Sequence, residues 1–349
     1  MEFSNSLIHW YLQNKRELPW RNTTNPYLIW LSEIMLQQTR VAQGLPYFLA
    51  FTETFPTVFD LAKAEEEQVL KLWQGLGYYS RARNLHATAK FIANELNGEF
   101  PDNFNDLLKL KGVGEYTAAA IASFSFNEPV AVVDGNVFRV LSRYFNIDSD
   151  ISDGKTKKEF QNLAQEVLPN NNPALFNQAI MEFGALQCVP QNPNCNSCIF
   201  SSSCAALQYN KVTQLPVKSK KTKVTNKFFN YLVLKDVDGN FIVQKREGKG
   251  IWENLYEFPL IETNELVSEL DIMNQCAEMK FYNQKPEEIL ILNPQIIQHK
   301  LSHQNLHIRF FQLNFNVKLP DSKPLSEINK LPFPIVIHNF MTSNYFNSL

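Results

Sequence analysis

The sequence predicts an all-α domain over residues 1–205 and a smaller α+β domain over residues 228–349, joined by a polar, lysine-rich connector at 206–227. Three observations carry this. Apolar residues recur at helical spacing through SLIHWYLQN, VFDLAKAEEEQVLKLWQGL and ARNLHATAKFIANEL, the pattern of helices that bury one face. From Phe228 the period changes: FFNYLVLK and NFIVQKRE flank Asp238-Gly239-Asn240, a hairpin signal. Four of the five cysteines fall between Cys188 and Cys204, where a cytosolic chain is expected to ligate a metal or cluster rather than form disulfides.

The bulk numbers bound the class. A chain of 349 residues, 44% apolar and 19% charged, can bury real cores and is not expected to be extensively disordered. The N-terminus has no basic stretch followed by an apolar one, and no apolar run approaches the ~18–20 residues of a membrane span. The expectation is a soluble, intracellular protein without a signal peptide. A net charge of −2 does not advertise a nucleic-acid partner, so DNA binding would need local charge. Lys211 to Lys227 holds six lysines and no acid, although a solvated linker has the same composition.

In chain order, the helical segments are SLIHWYLQN, PYLIWLSEIMLQQTRVAQGLPYFLAFTETF, the other two named above and KKEFQNLAQEVL, punctuated by Pro26, Pro56, Gly75, Gly77, Pro101, Pro129 and Pro169. Asp60 reads as a turn residue, and Asp102 to Asp106 as helix-entry chemistry. In the second domain, LNPQIIQHKLSH and LHIRFFQLNFNVKL read as strands and ELVSELDIMNQCAEM as a helix containing Cys276.

The chemistry lies in a few motifs. Leu110-Lys111-Gly112-Val113-Gly114-Glu115-Tyr116-Thr117 has the form of a helix–hairpin–helix turn, spanning about residues 107–121. Its glycines permit tight backbone geometry, and the helix that follows offers free N–H groups to a phosphate. Asp134 ends the apolar run Pro129–Val133 and opens the next helix. It suits an N-cap, and the helix terminus is expected to keep its carboxylate ionised. Glu33 sits among Leu31, Ile34 and Met35. If buried, its pKa rises and it can serve as a general acid opposite an ionised Asp134. Gln37 and Gln38 follow one turn later. Gly75 to Arg83 combines a glycine turn, two tyrosines and two arginines, which suits phosphate contact and aromatic wedging or a packed core corner. The spacing Cys188-x6-Cys195-x2-Cys198-x5-Cys204 leaves zinc and an iron–sulfur cluster both open.

Taken in order, SEIMLQQTR, GLGYYSRARNL, LKGVGEYTAAAI, VDGNVFRVL and the cysteine spacing resemble the adenine DNA glycosylases, within the superfamily that also contains endonuclease III. The resemblance is dense from about Leu18 to Cys204. It implies a helix–hairpin–helix glycosylase domain whose cysteines hold a four-iron four-sulfur cluster. It also implies double-stranded DNA bearing adenine opposite 8-oxoguanine or guanine as the substrate, with the adenine flipped out of the stack. Glu33 matches the acid that protonates the adenine, and Asp134 the carboxylate that stabilises an oxocarbenium-like sugar. Tyr116 and Asn136 match supporting positions, and Gly112 and Gly114 the backbone grip on DNA. Arg16, Trp20, Arg21, Leu36 and Gln178 match the adenine pocket, and Gln38 and Tyr78 residues inserted beside 8-oxoguanine.

At position 116, endonuclease III-type enzymes carry a lysine that forms a Schiff base and cleaves the strand. Tyr116 implies a monofunctional enzyme instead. The C-terminal domain resembles a Nudix-like domain that reads 8-oxoguanine, with Gly250–Glu253 and Leu255–Pro259 as its core strand region. It lacks the glutamate-rich box of a phosphohydrolase. Ser302 and His303 match the recognition loop, while Leu301 departs from its phenylalanine. The resemblance further implies a monomeric, cytoplasmic, nucleoid-associated protein. Two other readings are a bifunctional glycosylase/lyase and a non-catalytic iron–sulfur DNA-binding module.

Overall fold

The computed structural model describes residues 2–219 and 223–347. The chain divides into two compact units, residues 1–63 with 84–220 and residues 64–83 with 221–349. This differs from a boundary at 205 in two ways. Residues 64–83 group with the C-terminal unit, and the connector groups with the N-terminal unit as far as residue 220.

The first unit is helical. It contains α1 (Glu2–Asn14), α2 (Pro26–Leu36), α3 (Val41–Thr54) and α4 (Val58–Lys63). The second unit's helix α5 (Glu66–Leu72) follows, and α6 (Ser80–Glu95) carries the division at residue 84. The first unit continues through α7 (Phe104–Leu107), α8 (Glu115–Phe126), α9 (Gly135–Phe145), α10 (Gly154–Val167), α11 (Pro173–Leu186) and α12 (Ala205–Gln208). The long segment from Pro26 breaks into two helices, because Gln37 leaves helical geometry and Gln38 turns left-handed at φ 55°. Asp60 accepts from the Thr57 backbone N–H and hydroxyl. It therefore caps the helix start rather than forming a turn. One core gathers α1, α9, α10 and α11 around Phe3, Leu7, Val137, Leu141, Phe160 and Phe183, with Cys188, Cys198 and Cys204 packed at its margin.

The helix–hairpin–helix is α7, a turn and α8. Gly112 needs to be glycine, since φ is +78° and a Cβ would meet Asn84 Cβ at 2.7 Å. Gly114 has ordinary φ as the N-cap of α8. Its missing side chain leaves the N–H groups of α8 open instead. Ala118 to Ala122 are all buried, so small residues let α8 pack closely against α2.

The connector is mostly packed. Leu215 is 3% exposed, its carbonyl accepts from Arg143 Nε, and Val217 O accepts from Ile151 N. Lys211 pairs with Asp148 and Lys227 with Glu262, so part of the lysine run is already partnered. Lys220 and Lys221 lie outside the described residues.

The second unit is built on a mixed sheet of β1 (Thr225–Lys235), β4 (Leu260–Thr263), β5 (Glu288–Ile291), β6 (Ile297–Lys300) and β7 (Gln304–Asn314). Its path is β4-β1-β7-β5, with β6 also on β7. β1 and β7 run parallel over eleven residues each, from Thr225 against Gln304 to Lys235 against Asn314. The hairpin at Asp236–Asn240 forms, with Asp236 N donating to Asn240 O, and its second arm stays on β1 through Phe241 opposite Lys235 and Ile242 N donating to Leu234 O. Beyond Ile242 the arm departs: β4 takes the same edge of β1 at Phe228–Tyr231, and β2 (Gln244–Lys245) pairs with β3 (Tyr256–Glu257). Residues 250–254 form a turn rather than a core strand, with Trp252 and Asn254 left-handed at φ 62° and 66°. Trp252 is nevertheless buried, against Phe229 and His299. Cys276 lies buried in α13 (Glu269–Glu278). The chain ends in α14 (Leu325–Ile328), α15 (Ile335–Met341) and α16 (Asn344–Asn347).

Candidate active site

Two carboxylates meet in the first unit because of how their helices begin and bury. Asp134 is the N-cap of α9. Its Oδ1 accepts from the backbone N–H of Asn136 and Val137 at 2.8 Å each, and its Oδ2 from Asn136 Nδ2 at 2.7 Å. These donors favour the charged form, but burial is the larger effect. The Asp134 pKa is raised above the ordinary aspartate value despite them. The helix terminus therefore moderates the shift and does not reverse it.

Glu33 is 6% exposed, on an α2 whose residues from Tyr27 to Met35 are nearly all buried. Burial pushes its pKa up to about 7; the Asp134 charge adds to the rise, while the Tyr116 hydrogen bond and Arg21 act against it. Tyr116 Oη donates to Glu33 Oε2 at 2.6 Å. Burial and both carboxylates raise the phenol pKa well above its usual value, so the proton stays on tyrosine. The arrangement can hold one carboxyl protonated near neutral pH beside a second with its own hydrogen-bond donors.

These groups open into one cavity of about 630 Å³, also lined by Arg16, Trp20, Arg21, Leu36 and Gln178. This lies within the usual range for a small organic ligand. Arg16 and Arg21 are held by a residue that sequence reasoning missed. Glu182 accepts from Arg16 Nε at 2.8 Å, and both guanidinium groups reach its Oε2 at 2.6 Å. Burial acts to raise the Glu182 pKa, but these hydrogen bonds win and hold it at about 2. Arg139 was missed too. It donates to Asn136 Oδ1 at 2.8 Å, Gly184 O at 2.6 Å and Cys188 O at 2.7 Å. A lone acid in NQAIMEFGAL and two arginines one turn apart in VFRVLSRY were the available signals. Gly184 allows this approach, since a Cβ there would meet Asn136 Cβ at 2.7 Å.

Gln38 does not line this cavity; it is exposed in the turn after α2. Tyr78, Ser302 and His303 belong to the second unit. There they line a separate cavity of about 580 Å³ with Trp252, His299 and Lys300, and the Tyr78 and Ser302 hydroxyls are hydrogen-bonded.

Cys188, Cys195, Cys198 and Cys204 surround one further cavity, and none is in a disulfide. Among the described residues, no three candidate ligands close on a single metal ion. Four thiols lining one space are a donor set that both zinc and an iron–sulfur cluster use. Arg143 donates to Cys188 Sγ at 3.4 Å and to the carbonyls of Val189 and Pro190, which places a positive charge against the Cys188 sulfur. Burial raises the Cys198 thiol to about 11 and also raises Cys195 and Cys204. Ligation would have to displace these protons.

A helical unit with this hairpin and this carboxylate pair defines a base-excision class. The family model described as HhH-GPD superfamily base excision DNA repair protein matches residues 31–167, and a NUDIX domain model matches residues 230–343. An adenine DNA glycosylase of Buchnera aphidicola subsp. Baizongia pistaciae is 36% identical, over 88% of this chain and 84% of its own length. Another, of Buchnera aphidicola subsp. Acyrthosiphon pisum, is 33% identical over 97% of both. The chain belongs to the adenine DNA glycosylase family. The human adenine DNA glycosylase is 44% identical over 61% of this chain and 41% of its own. Among solved structures, a thermostable thymine-DNA glycosylase aligns at TM-score 0.56 and 30% identity, covering 60% of this chain and 96% of that one. A non-covalent endonuclease III–DNA complex aligns at TM-score 0.53 and 23% identity, a likeness of fold.

Proposed function

We propose that the chain is a monofunctional N-glycosylase that removes adenine mispaired with 8-oxoguanine or guanine in double-stranded DNA. The observation that carries this is Glu33, buried, titrating near 7 and hydrogen-bonded by Tyr116, in one cavity with Asp134. Glu33 as the acid gives its proton to adenine N7. The C1′–N9 bond then breaks, and its electron pair leaves with the base. Asp134 stabilises the positive charge on the deoxyribose, with Asn136 holding its carboxylate. Water adds to C1′, and its proton returns to Glu33. Adenine must be extruded from the duplex to reach this cavity. Gly112 and Gly114, with the open start of α8, suit contact with a phosphate. Position 116 offers no amine for a Schiff base, which favours base release without strand cleavage.

The four cysteines are proposed to hold a four-iron four-sulfur cluster, which supplies a covalent staple for residues 188–204. Tyr78, Ser302 and His303 are proposed to read 8-oxoguanine, with Gln38 inserted into the duplex. Base release from an 8-oxoguanine:adenine duplex under single turnover, with and without alkali, tests the reading. Adenine release with strand breaks only after alkali is expected; alkali-independent breaks with a borohydride-trapped adduct would overturn it in favour of a lyase.

A further inference from the structure

Tyr11 lies on α1, far in sequence from every catalytic residue assigned above. It is 2% exposed, and its hydroxyl donates to Gln178 Oε1 at 2.7 Å. Burial raises the phenol pKa, so the hydroxyl keeps its proton. A buried hydroxyl with one partner must spend that proton on an acceptor, which turns the amide oxygen of Gln178 toward Tyr11. Among the described residues no protein acceptor takes the Gln178 Nε2 protons, and Gln178 lines the cavity. The amide thus faces the cavity as a donor. The face of the Tyr11 ring carries Arg21, whose guanidinium carbon is 5.7 Å from the ring centroid. Arg21 is in turn fixed by Glu182, so Tyr11 cannot readily turn away.

We propose that Tyr11 is a specificity-determining positioning residue, which locks the Gln178 amide so that the cavity selects a base presenting an unprotonated ring nitrogen at that point. Adenine offers such acceptors at N1 and N3; guanine shares the N3 acceptor but carries a proton on N1, so a reading at N1 would also exclude guanine. Without Tyr11 the amide can flip and present its oxygen, which would accept that proton. Misreading of a buried polar group by a binding site is costly in rate. This inference rests on the adenine-excision reading.

The test compares full-length wild type with Tyr11→Phe on duplexes carrying adenine, 1-deazaadenine or 3-deazaadenine, as single-turnover release rates. The intrinsic lability of each analogue cancels when its rate relative to adenine is compared between proteins. In wild type, removing the nitrogen that Gln178 reads is expected to cost roughly 10–100-fold on one of the analogues. In Tyr11→Phe, adenine release falls and that analogue's penalty shrinks to a few-fold. An equal loss by the variant on all three bases would mean that Tyr11 only supports the fold, and would overturn the proposal. So would a wild type insensitive to both analogues. Gln178→Leu with Tyr11 intact, expected to lose the same penalty, keeps the test valid if Tyr11→Phe folds poorly. No adenine release by wild type would instead overturn the excision reading.

Discussion

At the residue scale, the decisive quantity is the burial of Glu33. Its pKa near 7 makes the protonated acid the working form, so the single-turnover rate should fall as pH rises through about 7. Glu33→Gln removes the acid and should slow release by ~10²–10⁴-fold; near-full activity would dismiss the assignment. The same shift acts on stability. A carboxyl raised from its unfolded value of 4.5 to about 7 contributes stability that is complete below 4.5 and is lost as pH rises to about 7. Above that pH a buried charge is retained at a cost. Glu33→Gln, which keeps the shape and a partner for Tyr116, should therefore be more stable than wild type at pH 8 by about 1–3 kcal/mol. Denaturant unfolding at pH 5 and pH 8 measures both arms, and a gain that is equal at the two would contradict the linkage. Glu182 is a different case. Its Arg16 and Arg21 partners hold it charged, and removing one member of such a buried cluster leaves the others unpaired. Glu182→Gln should cost about 3–5 kcal/mol, read by the same unfolding experiment.

At the element scale, the close approach of α9 and α11 sets the position of Asn136. Gly184→Ala places a methyl where Asn136 Cβ and carbonyl already stand, and neither is the end of a flexible side chain. We expect a loss of about 1–3 kcal/mol and a fall in adenine release larger than the loss of folded protein explains, because Asn136 holds the Asp134 carboxylate. Unchanged release at full folding would show that Asn136 has slack. The helices themselves were legible in the sequence from their period and their proline and glycine punctuation. Their interruptions were harder. The break at Gln37–Gln38 has no glycine or proline to announce it. The second arm of the Asp236–Asn240 hairpin looked like a strand partner of β1. That arm holds β1 only at Phe241 and Ile242; the long partner of β1 is β7, on its other edge, which begins only at Gln304. Parallel pairing joins distant segments, so no local pattern could announce it.

At the scale of the whole molecule, residues 188–204 follow α11 and are gathered by Arg139 and Arg143 onto α9. If the four thiolates share one cluster, Cys198→Ser should lower the unfolding midpoint by several degrees, at roughly 2–4 °C per kcal/mol for a unit of this size. An unchanged midpoint in protein shown to carry iron beforehand would remove the staple role.

Read as a string of residues, the chain already displayed the helical class of the first unit, the change to an α+β second unit, the hairpin glycine at 112, the cysteine set and the pairing of Glu33 with Asp134 as candidates. These are properties of local spacing and residue chemistry, which one chain displays without folding. Packing in three dimensions was needed to establish that Glu33 is buried, that burial outweighs the helix terminus at Asp134, and that Tyr116 donates to Glu33. It alone grouped residues 64–83 with the C-terminal unit and revealed Tyr11, Arg139 and Glu182. Desolvation and hydrogen bonding depend on what packs around a group, and those neighbours come from segments up to 167 residues apart, as Tyr11 and Gln178 are.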